Sequence, residues 1–451
     1  MFRKKEFYTA LKIYAITFLG ILILILGLLL RQQSFDSSLR SLSDLITNTR
    51  FLISVHVIFL VVYGLFLLTR YIVRVYRKHG LKTMSKRLSV YVILPMLILL
   101  GSFKTIVHIN GNEAFDYQWD HSIENTTGII KDHYNTDGKH RGMSVFGWKN
   151  NNESAITTLV QNNIEWVAVI PFMYQKDESS PEVSSPEMVG KWSKRDSIFI
   201  STISELKAKD VHVHLKPHIW TGEGWRSNIK HESKAQWDTW FTSYRKSMLH
   251  YAHLAQKTGA ELFCIGTELR TSIKAQPNKW KQLIQEIKTI YNGKLTYAAN
   301  WDGEYEMVKF WDELDYIGIQ AYFPLTNRAN PDLETIKKGW DPRIETLESL
   351  SKTHKKPILF TEIGYKNDTK ATIKPWQWES FFGILYRKKS NRTQQLAYQA
   401  LFEKLWNYDW FAGMYIWEWN TRSTPSGTEN SLDFSPRFKP AQNTIAKGYS
   451  K

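Results

Sequence analysis

One cysteine, Cys264, is all the chain has, so an internal disulfide framework is excluded; its place in an apolar run suits a small buried hydrophobe. Tryptophan is absent before position 119, and all 18 lie from Trp119 onward. Acidic residues are absent from 70–87, where Arg70, Arg74, Arg77, Lys78, Lys82, Lys86 and Arg87 stand together. Residues 13–30 lack charge of either sign. These gaps divide the 451 residues into a part suited to lipid and a longer part suited to water. The net charge of +16 does not indicate nucleic acid, because much of the excess sits in 70–87 and the rest is interspersed with acids.

Residues 1–103 read as a membrane region. The uncharged run 13–30 has the length of a transmembrane helix, for which about 20 apolar residues suffice. A signal peptide competes, since Arg3, Lys4 and Lys5 precede the run, but Arg31-Gln32-Gln33 follows it instead of a small-residue cleavage site. Residues 51–69, interrupted by His56, and 88–103, around Pro95, read as second and third spans. The basic 70–87 segment then becomes a cytoplasmic loop by the positive-inside rule, with contact to anionic lipid as an addition. Three crossings place everything after Phe103 on the non-cytoplasmic side of the cell membrane. No charged residue interrupts the spans, which argues against a transporter. Residues 104–140, polar with Asn-Gly and Asp-Gly turn signals, read as a linker and lead-in segment.

Over 141–451 short apolar runs alternate with amphipathic stretches. Strands are expected at 142–147, 166–171, 211–216, 261–267, 295–299, 315–321, 357–361 and 412–417, with helical patterns between them. Eight such units fit a (β/α)8 TIM barrel. A doubly wound sheet would want a Gly-rich phosphate turn after the first strand, and Gly147-Trp148-Lys149-Asn150 is not one. Barrel parity predicts that Ile358, Phe360 and Glu362 point inward, as do Gln320 and Tyr322, Tyr415 and Trp417, and His212, His214 and Lys216.

Two strands end improperly. Glu261–Leu269 and Pro357–Tyr365 are apolar runs that close on Glu268 and Glu362, and an unpaired buried carboxylate is costly unless it has a use. Their separation corresponds to three βα units, which puts one glutamate after the fourth strand and the other after the seventh. Barrel active sites gather at these strand ends. The neighbours expected there are Trp148, Tyr174, Lys216, His218, Trp220, Asn300, Trp301, Tyr322, Trp417 and Trp419, an aromatic wall with a few polar groups, which suits sugar rings. Trp225 extends it on the loop after the third strand. Two carboxylates flanking a glycosidic bond can hydrolyse it. The plain alternative is a salt-bridged strand end, with Arg270 as partner of Glu268.

The motifs Gly266-Thr267-Glu268-Leu269, Phe360-Thr361-Glu362-Ile363-Gly364-Tyr365 and Lys216-Pro217-His218-Ile219-Trp220 resemble those of glycoside hydrolase family 113. So do the stretches Arg141–Trp148 and Phe434–Ala441. The resemblance covers residues 140–445. It implies a retaining β-1,4-mannanase-like enzyme acting on a β-linked polysaccharide or oligosaccharide without a cofactor. It further implies Glu268 as acid/base, Glu362 as nucleophile, Tyr322 as the nucleophile's hydrogen-bond partner and Trp417 as the sugar platform. Thr267 stands where much of the clan has Asn, so another group, Asn300 or His218, must hold the sugar 2-hydroxyl. The membrane region is outside the resemblance and points to glycans near the cell surface or imported oligosaccharides.

Two rivals stand beside this reading. His212-Val213-His214 has the form of a strand metal site, but no later strand end offers a further histidine. A membrane-bound carbohydrate receptor on an inactive barrel is the other, and the presence of both glutamates argues against it.

Overall fold

The computed structural model describes residues 4–31, 35–47, 49–148, 151–184, 192–378, 383–428 and 431–451. Two compact units result, Met1–Thr105 and Ile106–Lys451.

The first unit is helical: α1 (Lys4–Leu30), α2 (Phe35–Thr47), α3 (Thr49–Leu88), a π-helical turn at Ser89–Ile93, and α4 (Leu94–Gly111). Tyr14 joins α1 to α3, lying edge-on to Phe59 at 5.0 Å with its hydroxyl 3.4 Å from His56 Nε2. Among the described residues two helices, not the expected three, are long and apolar enough to cross a membrane: Glu6–Leu30 and Phe51–Gly111. The third expected span, 88–103, lies within Phe51–Gly111, beyond a backbone break at Gly80 (φ 74°, ψ 177°). The basic segment expected as a loop is helical on both sides of Gly80, its arginines and lysines being good helix formers. The π turn precedes Pro95, whose ring and missing N–H disturb the regular ladder.

The second unit is a barrel. Its strands are β1 (His140–Phe146), β2 (Trp166–Val169), β4 (His212–Leu215), β6 (Leu262–Thr267), β7 (Lys294–Asn300), β8 (Tyr316–Gln320), β9 (Ile358–Ile363) and β10 (Phe411–Asn420). They close in the order β1-β10-β9-β8-β7-β6-β4-β2, all parallel. Two short strands not expected from sequence, β3 (Phe172–Gln175) and β5 (His218–Thr221), form a separate parallel ribbon. Pro171 and Pro217 cause the split: each lacks the N–H its ladder needs, so β2 and β4 stop and restart beyond the proline. The break sets Lys216 and His218 at the mouth.

Inside the barrel lie Trp166, Leu359, Tyr316 and Tyr415, and between strands and helices lie Val213, Leu215, Ile317, Ile319, Met414 and Ile416. This is the expected parity for β4, β8 and most of β10. In β9 it fails: Ile358 and Phe360 face the helices, Phe360 stacking on Trp340, while Leu359 points inward. A register shift opposite Ile319 and Gln320 adds one residue to β9 before Glu362, and that bulge turns Glu362 back into the barrel. Residues ahead of β1 are bound to the barrel wall. Glu113 accepts from Ser390 Oγ at 2.9 Å and from the backbone N–H groups of Asn391 and Arg392, and Tyr117 donates to Asn443 at 2.8 Å.

Candidate active site

Glu268 follows β6 and is 3% exposed. Its backbone is left-handed, φ 53°, a conformation that disfavours any residue with a Cβ. Neighbours hold it there: Glu268 N donates to Ala298 O at 2.9 Å, Ser227 Oγ donates to Glu268 O at 2.9 Å, and the next residue, Leu269, donates its N–H to the Tyr297 hydroxyl at 2.7 Å. Asn300 Nδ2, at the end of β7, donates to Oε1 at 2.8 Å. Arg226 takes Oε2 through Nε at 3.0 Å and Nη2 at 2.9 Å.

Glu362, at the end of β9, is 4% exposed. Lys216 Nζ donates to its Oε1 at 2.7 Å, and Tyr322 OH donates to Oε2 at 3.1 Å. His218 Nε2 lies 3.6 Å from Oε1. Burial, then the nearby Lys216 and Arg226 cations, hold His218 well below the usual histidine range, so its ring is neutral. The Tyr322 phenol is pushed well up by burial first, then by the charges of Glu362 and Glu268.

Several expected neighbours are placed differently. Lys216 is fully buried, and besides Glu362 it donates to Gln320 Oε1 at 2.6 Å and Thr361 O at 3.0 Å. All three acceptors are protein oxygens, Glu362 among them. Asn300 gives its amide to Glu268 and its carbonyl oxygen to Asp302 N at 2.9 Å. Trp419 is 1% exposed, with Arg437 over its ring, in the layer between barrel and helices. It is no part of the wall, because a register shift between Met143 and Val145 adds a residue to β10 and sends Trp417 and Trp419 to opposite faces. Arg270 bonds Asp302, leaving Glu268 to Arg226.

The remaining aromatics divide between the loops. Trp417 borders Phe146 at 5.0 Å and Trp378 at 6.5 Å. Trp301 stacks on Trp376 at 4.6 Å. Trp220 and Trp225 are exposed on and after β5, and Tyr174 is exposed on β3. Trp148 is half-buried against the core. Residues 149–150, after Trp148, and 185–191, within the loop expected over Tyr174–Trp192, lie outside the described residues.

Arg226, Glu304 and Glu418 escaped the sequence reading, and Gln320 was placed inward without a role. Arg226 and Glu304 lie in irregular segments where no periodicity points at anything. Glu418 follows Trp417, and burial first, then Asp433 and Glu362, push its carboxyl up to about 7. Of the two barrel histidines, His212 contacts Glu261 at 3.1 Å and stacks on Trp166, and His214 lies 4.7 Å from Tyr415. Among the described residues no group of three or more His, Cys, Asp or Glu could hold a metal ion.

A closed parallel barrel whose strand ends carry two buried, donor-held glutamates beneath an aromatic wall defines the class of barrel glycoside hydrolases. The sequence profile of Glycoside Hydrolase Family 113 matches residues 143–435, and the chain belongs to that family. It is a glycoside hydrolase. Similar solved structures include a family 113 β-mannanase of Alicyclobacillus acidocaldarius in complex with ManMIm, 26% identical, covering 69% of this chain and 97% of its own, with a TM-score of 0.59. A family 113 β-1,4-mannanase solved as a complex is 25% identical over 69% of this chain and 98% of its own, TM-score 0.59. No curated protein sequence matches the chain.

Proposed function

We propose that the protein is a membrane-tethered retaining β-glycoside hydrolase of β-1,4-mannanase type. Glu362 is the nucleophile and Glu268 the acid/base. The observation that carries the assignment is the different company of the two carboxylates. Glu362 has its countercharge, Lys216, inside the protein, and Tyr322 fixes the second oxygen, so the group is aimed and needs no water to stabilise it. Glu268 is bound through one oxygen to the neutral amide of Asn300 and through the other to Arg226. In the first step Glu362 attacks the anomeric carbon while Glu268 protonates the departing glycosidic oxygen. In the second, water deprotonated by Glu268 releases the glycosyl group from Glu362. Trp417, beside Phe146 and Trp378, is the platform at the cleaved bond. The substrate class follows the mannanases it resembles, and the two apolar helices support the tether.

The test is hydrolysis of mannan, glucomannan, xylan and β-glucan by the full chain, with NMR of the anomer first released. Turnover is expected on the mannans, with the β anomer appearing first. First release of the α anomer contradicts the mechanism, and turnover on xylan or β-glucan alone contradicts the substrate.

A further inference from the structure

One fully buried carboxylate near the site has no part in the two-step reaction. Glu304 is 0% exposed, in a 3-10 turn (Glu304–Glu306) that follows Gly303 just beyond β7. Both its oxygens are taken. Tyr297 OH donates to Oε1, and Asn300 N donates to Oε2 at 3.1 Å. Each donor leads to Glu268. The Tyr297 oxygen that donates to Glu304 also accepts the N–H of Leu269, the residue after the left-handed backbone of Glu268. Asn300, whose backbone is fixed by Glu304, directs its side-chain amide to Glu268 Oε1 at 2.8 Å.

We propose that Glu304 is a positioning residue for Glu268, fixing through Tyr297 the strained backbone on which Glu268 stands and through Asn300 the direction of its carboxyl. The inference rests on the acid/base role given to Glu268 above. A single rigid carboxylate that sets both the main chain and the side chain of the proton donor has a plain use: the donor must meet the glycosidic oxygen within hydrogen-bond reach. Backbone strain at Glu268 persists only because its surroundings over-determine it, and Tyr297 with Glu304 is part of that surrounding. Burial first, with the charge of Glu268 adding to it, pushes the Glu304 carboxyl up to about 7, which agrees with a group enclosed beside the proton donor.

The experiment compares leaving groups in the full chain. Glu304→Gln and Tyr297→Phe are assayed on two β-mannosides, one releasing 2,4-dinitrophenolate, which departs without a proton, and one releasing a sugar alcohol, which needs Glu268. Each variant is expected to lose about 100-fold or more in kcat/KM on the sugar-alcohol substrate and less than about 10-fold on the dinitrophenyl substrate, within the range a general acid contributes. Equal losses on both substrates, or no loss on either, overturn the proposal. Tyr297→Phe removes one hydroxyl and keeps the inference testable if Glu304→Gln does not fold. Glu268→Ala run alongside separates the two readings. Discrimination by Glu268→Ala but not by Glu304→Gln or Tyr297→Phe sinks only the positioning role. Absence of discrimination in Glu268→Ala sinks the acid/base assignment itself.

Discussion

Single residues decide the chemistry here through the groups that hold them. Lys216 and Glu362 form a pair with almost no access to water, so neither charge can be deleted cheaply. Lys216→Met strands the Glu362 charge, and removal of one partner from a buried pair costs about 3–5 kcal/mol. The variant is expected to unfold at a lower denaturant concentration and to lose turnover, measured by urea titration and by mannan hydrolysis. Stability unchanged from the wild type contradicts the buried pair. Glu304 gives a second prediction, in pH. Its carboxyl is raised to about 7 in the folded chain, so between the ordinary carboxylate range and pH 7 the folded state holds a proton that the unfolded state has released. The resulting stability is full below the ordinary range and is lost as pH rises to 7, by about 1.4 kcal/mol for each pH unit within that window. Glu304→Gln should flatten this slope, and a slope unchanged in the variant would count against it.

Elements settle where those residues point. The apolar runs that end on Glu268 and Glu362 were legible in the sequence, as was the alternation that makes eight strands, because burial against helices writes itself as hydrophobic pattern. The bulges were not legible. An added residue in β9 or β10 leaves the composition of the strand untouched and reverses every side chain beyond it, which is why Phe360 and Trp419 were misplaced while Glu362 was not. Arg226 and Glu304 were missed for a related reason: they act from turns, and only the folded chain brings a turn to a strand end. In the basic run 70–87 the arginines and lysines are good helix formers, and the chain is helical there up to and beyond a break at Gly80. Helix ends carry a prediction of their own. The helix Asn391–Leu405 begins on Ser390, whose hydroxyl accepts from Thr393 N, and the Glu113 carboxylate binds Ser390 Oγ and the first two backbone N–H groups. Glu113→Ala should therefore cost about 1 kcal/mol, read as a lower unfolding midpoint with turnover intact. A midpoint equal to the wild type removes the docking of this lead-in segment as a source of stability.

Taken whole, the molecule joins a glycoside hydrolase barrel to a helical unit with two helices long and apolar enough for a bilayer. If they hold the enzyme to a membrane, the full chain will stay in the pellet through alkaline carbonate washing and come out only with detergent. Release by carbonate would refute the tether. The proposed mechanism stands or falls on a covalent intermediate at Glu362. Its most direct test is trapping with 2-deoxy-2-fluoro-β-mannosyl fluoride, whose fluorine slows both steps while the good leaving group keeps the first one going. Peptide mass spectrometry should then find one glycosyl adduct, on the peptide that contains Glu362, accumulating as activity is lost. An adduct on any other residue, or inactivation with none, would contradict it.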